Sequence, residues 1–137
     1  MAHHEPQIGD VFEVSRKGPE RLLGRVVSTG AVAGPTHGCI LVYVCRGVTR
    51  PTRNDLLLPP LLTTRGPWAR GYFVHRGSEP LLPGDYFERH CFRDAHGHFV
   101  DEEGRPLSVP FEPFGESKIA EVSSIEEAIV RALAAAG

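Results

Sequence analysis

Five prolines between Pro59 and Phe87 set the tightest limit on what this chain can become. The stretch reads PPLLTTRGPWARGYFVHRGSEPLLPGDYF. Pro59, Pro60, Pro67, Pro80 and Pro83 leave no room in it for a long helix, because each removes a backbone donor and clashes with the preceding turn. The residues between them alternate polar with apolar and include the only tryptophan, Trp68. That pattern suits strands and turns, and Trp68 to Val74 reads as a strand. No catalytic signature lies in it.

The flanking segments extend the same reading. Ile8 to Val14 and Arg21 to Ser28 alternate as strands, separated by the turn-prone Arg16-Lys17-Gly18-Pro19. Residues 30–38 read as a loop. The run Cys39 to Cys45, CILVYVC, is short and rich in β-branched residues, as befits a central strand covered on both faces. Leu56 to Leu62 is apolar but broken by two prolines, an irregular crossing that buries leucines. Tyr86 to Phe92 is expected as a strand. Asp94-Ala95-His96-Gly97 and Asp101 to Arg105 are expected as turns, with short strands at residues 98–100 and 107–109. Residues 110–117 read as coil, and Lys118 to Val122 as a segment able to pair at a sheet edge. Beyond Ser123 and Ser124, both at capping-box spacing from a glutamate, Ile125, Ala128, Ile129, Ala132 and Leu133 form one apolar helical stripe. Glu127 and Arg131 are placed for an i, i+4 pair. The expected fold is α+β and mainly antiparallel β: a strongly bent sheet or partly open barrel with one C-terminal helix packed on it.

A chain of 137 residues can bury a core without staples, so one domain over residues 8–137 is expected, after a flexible tail over residues 1–7. No apolar run reaches the roughly 20 residues of a membrane span, and the opening residues lack a signal peptide's pattern; the expected location is cytoplasmic. Three cysteines fit a reducing compartment. On one extended strand Cys39 and Cys45 would stand about 20 Å apart, too far for a disulfide. All three read as buried structural thiols.

Charge is unevenly spread. Residues 1–76 hold ten Lys/Arg and five Asp/Glu, a net +5, while residues 77–137 hold five and twelve, a net −7. An acidic face of that kind can steer a basic partner. Two other constellations stand out. His96-x-His98 on a strand, with His90 across the hairpin, would place three imidazoles for zinc and hence for a metal-dependent hydrolase; solvated turn histidines are the plainer account. Arg46, Arg50, Arg53, Arg65, Arg70 and Arg76, interleaved with Tyr43, Trp68 and Tyr72, would suit a small β-barrel binding single-stranded nucleic acid; the plainer account is a solvated rim with core aromatics. Nucleotide, dinucleotide and zinc-protease motifs are missing, and no cofactor is expected.

The order of the pieces resembles the Imm26 group of immunity proteins from bacterial polymorphic toxin systems. Gly9-Asp10-Val11-Phe12-Glu13-Val14 resembles that family's opening strand, and Leu23-Gly24-Arg25-Val26-Val27 its "G-R-apolar" strand. Leu41-Val42-Tyr43 resembles its central strand. Trp68 with Gly77-Ser78-Glu79-Pro80-Leu81 resembles its tryptophan and "G-N-x-P-L" block, with serine in the asparagine's place. Phe87, the hairpin through Gly104 and the helix at Ile125 to Ala128 follow in the family's order. The resemblance implies a cytoplasmic protein that binds and neutralises a cognate toxin; no reaction of its own is expected, and an exposed edge strand leaves both monomer and homodimer open. Some relatives carry a phosphotriesterase label, which keeps the hydrolase alternative open. Many effectors that attack nucleic acid have basic active sites. The acidic residues Glu79, Asp85, Glu88, Asp94, Asp101, Glu102, Glu103, Glu112 and Glu116 are therefore candidates to cover one, with Asp85, Asp94 and the Asp101-Glu102-Glu103 tip foremost.

Overall fold

The structure, a computed structural model, describes residues 4–136. A five-stranded antiparallel sheet is built from β1 (Asp10–Val14), β2 (Leu22–Ala33), β3 (Thr36–Arg46), β4 (Leu61–Thr63) and β5 (Phe73–Ser78), in the order β4-β3-β2-β1-β5. A second sheet of three strands, β6 (Cys91–Arg93), β7 (Phe99–Val100) and β8 (Phe114–Glu116), has the order β7-β6-β8. Among the described residues, two α-helices, the single-turn α1 (Gly66–Ala69) and the C-terminal α2 (Val122–Ala136), and a short 3-10 turn at Arg53–Asp55 complete the fold. The architecture is α+β, rich in antiparallel pairing, and the large sheet stays open.

The period-two alternation of β3 divides the interior. Ile40, Val42 and Val44 point into a cluster with Phe12, Val14, Leu22, Val26, Trp68 and Phe73, which α2 closes with Ile125 and Ile129. Cys39, Leu41, Tyr43 and Cys45 point the other way, into a cluster with Val27, Ala31, Leu62 and Phe92 beneath the small sheet. The central strand is thus buried on both faces, as its continuous apolar composition implies. Ala31 and Ala33 share the second face and are buried. Their burial carries the β2–β3 hairpin out to a two-residue turn at Gly34-Pro35, where the sequence suggested a loop over residues 30–38.

Within the first cluster the Phe12 ring stacks on Phe73 at 4.1 Å between centroids and meets Trp68 edge-on at 5.4 Å. The Phe12 ring lies directly over Gly24, its cross-strand partner. A Cβ at Gly24 would fall 2.1 Å from the Phe12 Cζ.

The Trp68 strand is corrected. Pro67 occupies the first turn of a helix, where its missing N–H costs nothing. The Gly71 that follows, at φ +73, ends that turn with its N–H on the Trp68 carbonyl. The strand begins only at Phe73. Tyr86 to Phe92 is also shorter in strand than expected, beginning at Cys91. Phe114–Glu116, expected as coil, pairs parallel to β6. Residues 107–109 form no strand; Leu107 donates one hydrogen bond to the Phe99 carbonyl. Lys118 to Val122 does meet the sheet edge, with the Ala120 N–H on the Leu62 carbonyl.

Helix α2 starts one residue before its expected caps. The Ile125 N–H reaches the Glu121 carbonyl, and Ser123 and Ser124 lie inside the first turn. Its stripe is as expected. Ile125 and Ile129 are fully buried, each worth about 1.5–3 kcal/mol, and Ala128, Ala132 and Leu133 pack beside them. The helix is latched by Glu126, which accepts from Arg16 Nη2 at 3.0 Å and from the Tyr72 hydroxyl at 2.6 Å. The Glu127–Arg131 pair is not among the ion pairs of the described residues.

The Gly24–Phe12 contact gives a direct test. Gly24→Ala is expected to destabilise the protein by about 3 kcal/mol through overpacking, read as a lower urea midpoint. Adding Phe12→Leu should recover part of that loss.

Candidate functional site

Arg25 is the largest fully buried side chain, at 0% exposure, and its partners are backbone carbonyls. Its Nε donates to Gly9 at 3.0 Å, Nη1 to Pro51 at 3.1 Å, and Nη2 to Glu79 at 2.7 Å and Pro80 at 3.2 Å. These carbonyls belong to the start of the chain, the loop after β3 and the proline-rich segment after β5. The last of these cannot pair as a strand, and the guanidinium supplies the donors it lacks. Burial, and then the nearby charge of Arg50, lower the Arg25 pKa, while Asp85 and Glu79 act in the opposite sense. Arg50 joins the same two loops from outside. It grips Asp85 with two hydrogen bonds, at 2.9 and 2.6 Å, and sets Nε 2.8 Å from Glu79.

Most of the foremost acidic candidates serve the scaffold. Asp85 is buried, held by Arg50 and by the Leu82 N–H. Asp94 accepts from the N–H groups of His96 and His98, closing its turn. Asp101, 7% exposed, closes the next turn through the N–H groups of Glu103 and Arg105. Glu102 reaches inward, its Oε1 3.1 Å from His90 Nδ1. Glu103 is exposed and pairs with Arg105 at 2.9 Å. Glu88, Arg89 and the residues of this turn line a shallow polar depression of about 350 Å³.

His90 is 4% exposed and belongs to a buried chain. The Phe87 N–H donates to the Tyr43 hydroxyl at 3.0 Å, and that hydroxyl stands 2.7 Å from His90 Nε2. A proton on Nδ1 completes the order Tyr43 to His90 to Glu102. For Glu102 burial is the largest influence and acts upward; the His90 and backbone hydrogen bonds outweigh it and hold the carboxyl below its ordinary range.

The zinc set His90, His96 and His98 is therefore not assembled. Both His90 nitrogens are engaged inside, while His96 and His98 stand exposed on the turn. The nucleic-acid reading loses its stacking platform. Tyr43 and Trp68 are buried, Tyr72 is turned to Glu126, and the sheet is open. Of its arginines, Arg46, Arg50, Arg65 and Arg76 are in ion pairs with Glu20, Asp85, Glu5 and Glu13. All three cysteines are buried and free. Burial pushes the Cys45 thiol up to about 12, far from any reactive thiolate.

One polar cluster was missed in the sequence: His4, Asp10 and His75. Residues 4–7, expected as tail, lie against the sheet, with Pro6 buried and the Gln7 N–H on Asp10 Oδ2 at 2.9 Å; residues 1–3 lie outside the described residues. His4 Nε2 is 2.6 Å from the same oxygen, and its ring stacks on His75 at 3.6 Å. A register shift between Val11 and Phe12 sets Asp10 opposite Ser78, whose hydroxyl donates to Oδ1 at 2.5 Å. His75 Nδ1 lies 3.8 Å from Asp10 and is buried without a hydrogen-bond partner among the described residues. The only sequence signal was the Gly9-Asp10 opening; 65 positions separate Asp10 from His75.

No family model, curated protein or solved structure matches the chain. Among the described residues no helix is long and apolar enough to cross a membrane.

Two outcomes follow for the loop framework. Arg25→Met is expected to cost about 3 kcal/mol, since it removes the donor to four carbonyls and leaves that of the buried Pro51 without its partner; equilibrium denaturation measures it. Arg50, and then the Leu82 N–H, hold the Asp85 carboxyl at about 2, below its ordinary 3.8. Because the folded value is the lower one, the ionised carboxylate stabilises the fold above pH 4, and that contribution is lost as pH falls towards 2. The stability gap between the native protein and Asp85→Asn should therefore close over this window.

Proposed function

We propose that this chain is an immunity-type binding protein that neutralises a cognate bacterial toxin by covering its active surface. The observation that carries this reading is the backing of the acidic turn. Glu102 is tied through His90 to the core tyrosine, and Asp101 fixes the turn's backbone, so the exposed Glu88 and Glu103 are presented from a rigid base. Groups held in place before contact lose little conformational freedom on binding. The carboxylate excess of residues 77–137 supplies long-range attraction for a basic partner. The resemblance in element order points to the same class. Its most constrained residues, Gly9, Phe12, Gly24 and Arg25, form one interlocked set.

The test is co-expression with a toxin encoded beside this chain's reading frame, followed by affinity measurement. Growth rescue and a stable complex are expected. Glu88→Lys with Glu103→Lys should weaken binding about tenfold or more at unchanged melting temperature, with the loss growing at low salt. Absence of both rescue and complex with the native chain would remove the proposal; full affinity in the double variant would move the interface off this turn. Asp101 and Glu102 are unsuitable probes, because replacing them disturbs the turn and the buried histidine.

A further inference from the structure

We propose that His4, Asp10 and His75 form a site for a divalent transition-metal cation of the zinc class. Their donor atoms lie within 4.8 Å of one another and come from three separate segments: the residues before β1, its first residue, and β5. Two imidazoles and one carboxylate are the donor set of open zinc sites, where three protein ligands leave a position for water. The nitrogen donors disfavour calcium and magnesium, which take oxygen ligands.

Three features argue that the cluster is more than a hydrogen-bonded pair with a bystander. First, Asp10 is almost wholly buried, its side chain 2% exposed, although it carries a charge. Second, its two oxygens are divided. Oδ1 is held by the Ser78 hydroxyl, the kind of outer contact that aims a ligating carboxylate, while Oδ2 faces both histidines. Third, His75 Nδ1 is buried with no hydrogen-bond partner among the described residues, and Asp10 at 3.8 Å is too distant to serve. A cation among the three donors satisfies that nitrogen and the carboxylate charge together. Tetrahedral bonds of about 2.0–2.1 Å require the His75–Asp10 separation to shorten slightly, the His4–Asp10 contact to widen, and the His4 ring to swing out of its stack on His75 so that both in-plane lone pairs converge. His4 can make that adjustment, since it precedes β1 and its one hydrogen bond among the described residues is to Asp10. Bound metal would fasten the start of the chain across β1 to the edge strand β5. The site is separate from the acidic turn, so it stands or falls independently of the toxin-binding reading.

The experiment uses the full chain without an affinity tag. Cobalt(II) chloride is titrated with visible absorption as readout, then zinc chloride by calorimetry and melting temperature. One equivalent of each metal is expected to bind, with tetrahedral cobalt absorption and a higher melting temperature in zinc. His4→Ala and His75→Ala should each abolish the absorption and the shift, and Ser78→Ala should weaken binding about tenfold. His4→Ala keeps the comparison valid should His75→Ala unfold, because His4 lies outside every strand. Absence of binding at micromolar metal would overturn the proposal. So would undiminished affinity in His4→Ala, or loss of the signal in a His96→Ala, His98→Ala double variant.

Discussion

The guanidinium of Arg25 is the point on which the loop architecture depends. A charge with no exposure is costly to bury, and here the cost is offset by hydrogen bonds to four backbone carbonyls. The exchange is mutual. Segment 79–85, interrupted by Pro80 and Pro83, cannot use a strand ladder, so a side chain from β2 performs that service. Arg50 and Asp85 then clamp the outer side of the same junction. The sheet's second strand thus organises three loops that never pair with it as strands.

The rest of the molecule is arranged around β3, whose alternation assigns one set of side chains to α2 and the other to the small sheet. The two interiors differ in character. The helix side is closed by aromatic rings and isoleucines. The side beneath the small sheet contains Tyr43, the buried thiols Cys39 and Cys45, and the histidine that ties Tyr43 to Glu102. A polar chain that runs from the core to an exposed turn explains why that turn can be both solvent-facing and fixed.

The residues made much of this legible, for reasons that are local. β1, the inner parts of β2 and β3, and the stripe of α2 follow from alternation or helical spacing over a few neighbouring positions. The failures are of a different kind. Pro67 marked a break, but it equally starts a helical turn, and only the aromatic cluster of Phe12, Trp68 and Phe73 decides between them. The segment before Cys91 looked like a strand because the group that takes its Phe87 N–H, the Tyr43 hydroxyl, is remote in sequence. β8 has little β-forming composition and owes its place to pairing with β6. The acidic residues were visible as a set, but their separation into turn-closing, core-tethered and exposed members required the fold. His4, Asp10 and His75 meet only through a register shift between paired strands, which leaves no periodic trace.

The three sealed sulfhydryls have a consequence for the life of the molecule. While the chain is folded, Cys39, Cys45 and Cys91 are shielded from oxidants, and Cys39 and Cys45 occupy one strand whose extension keeps them apart. Unfolding removes both protections at once. An odd number of thiols on a flexible chain always leaves one without an internal mate, so unfolding in an oxidising medium favours covalent cross-linking between molecules over return to the starting state. The interior acts as a quarantine for its own sulfur chemistry.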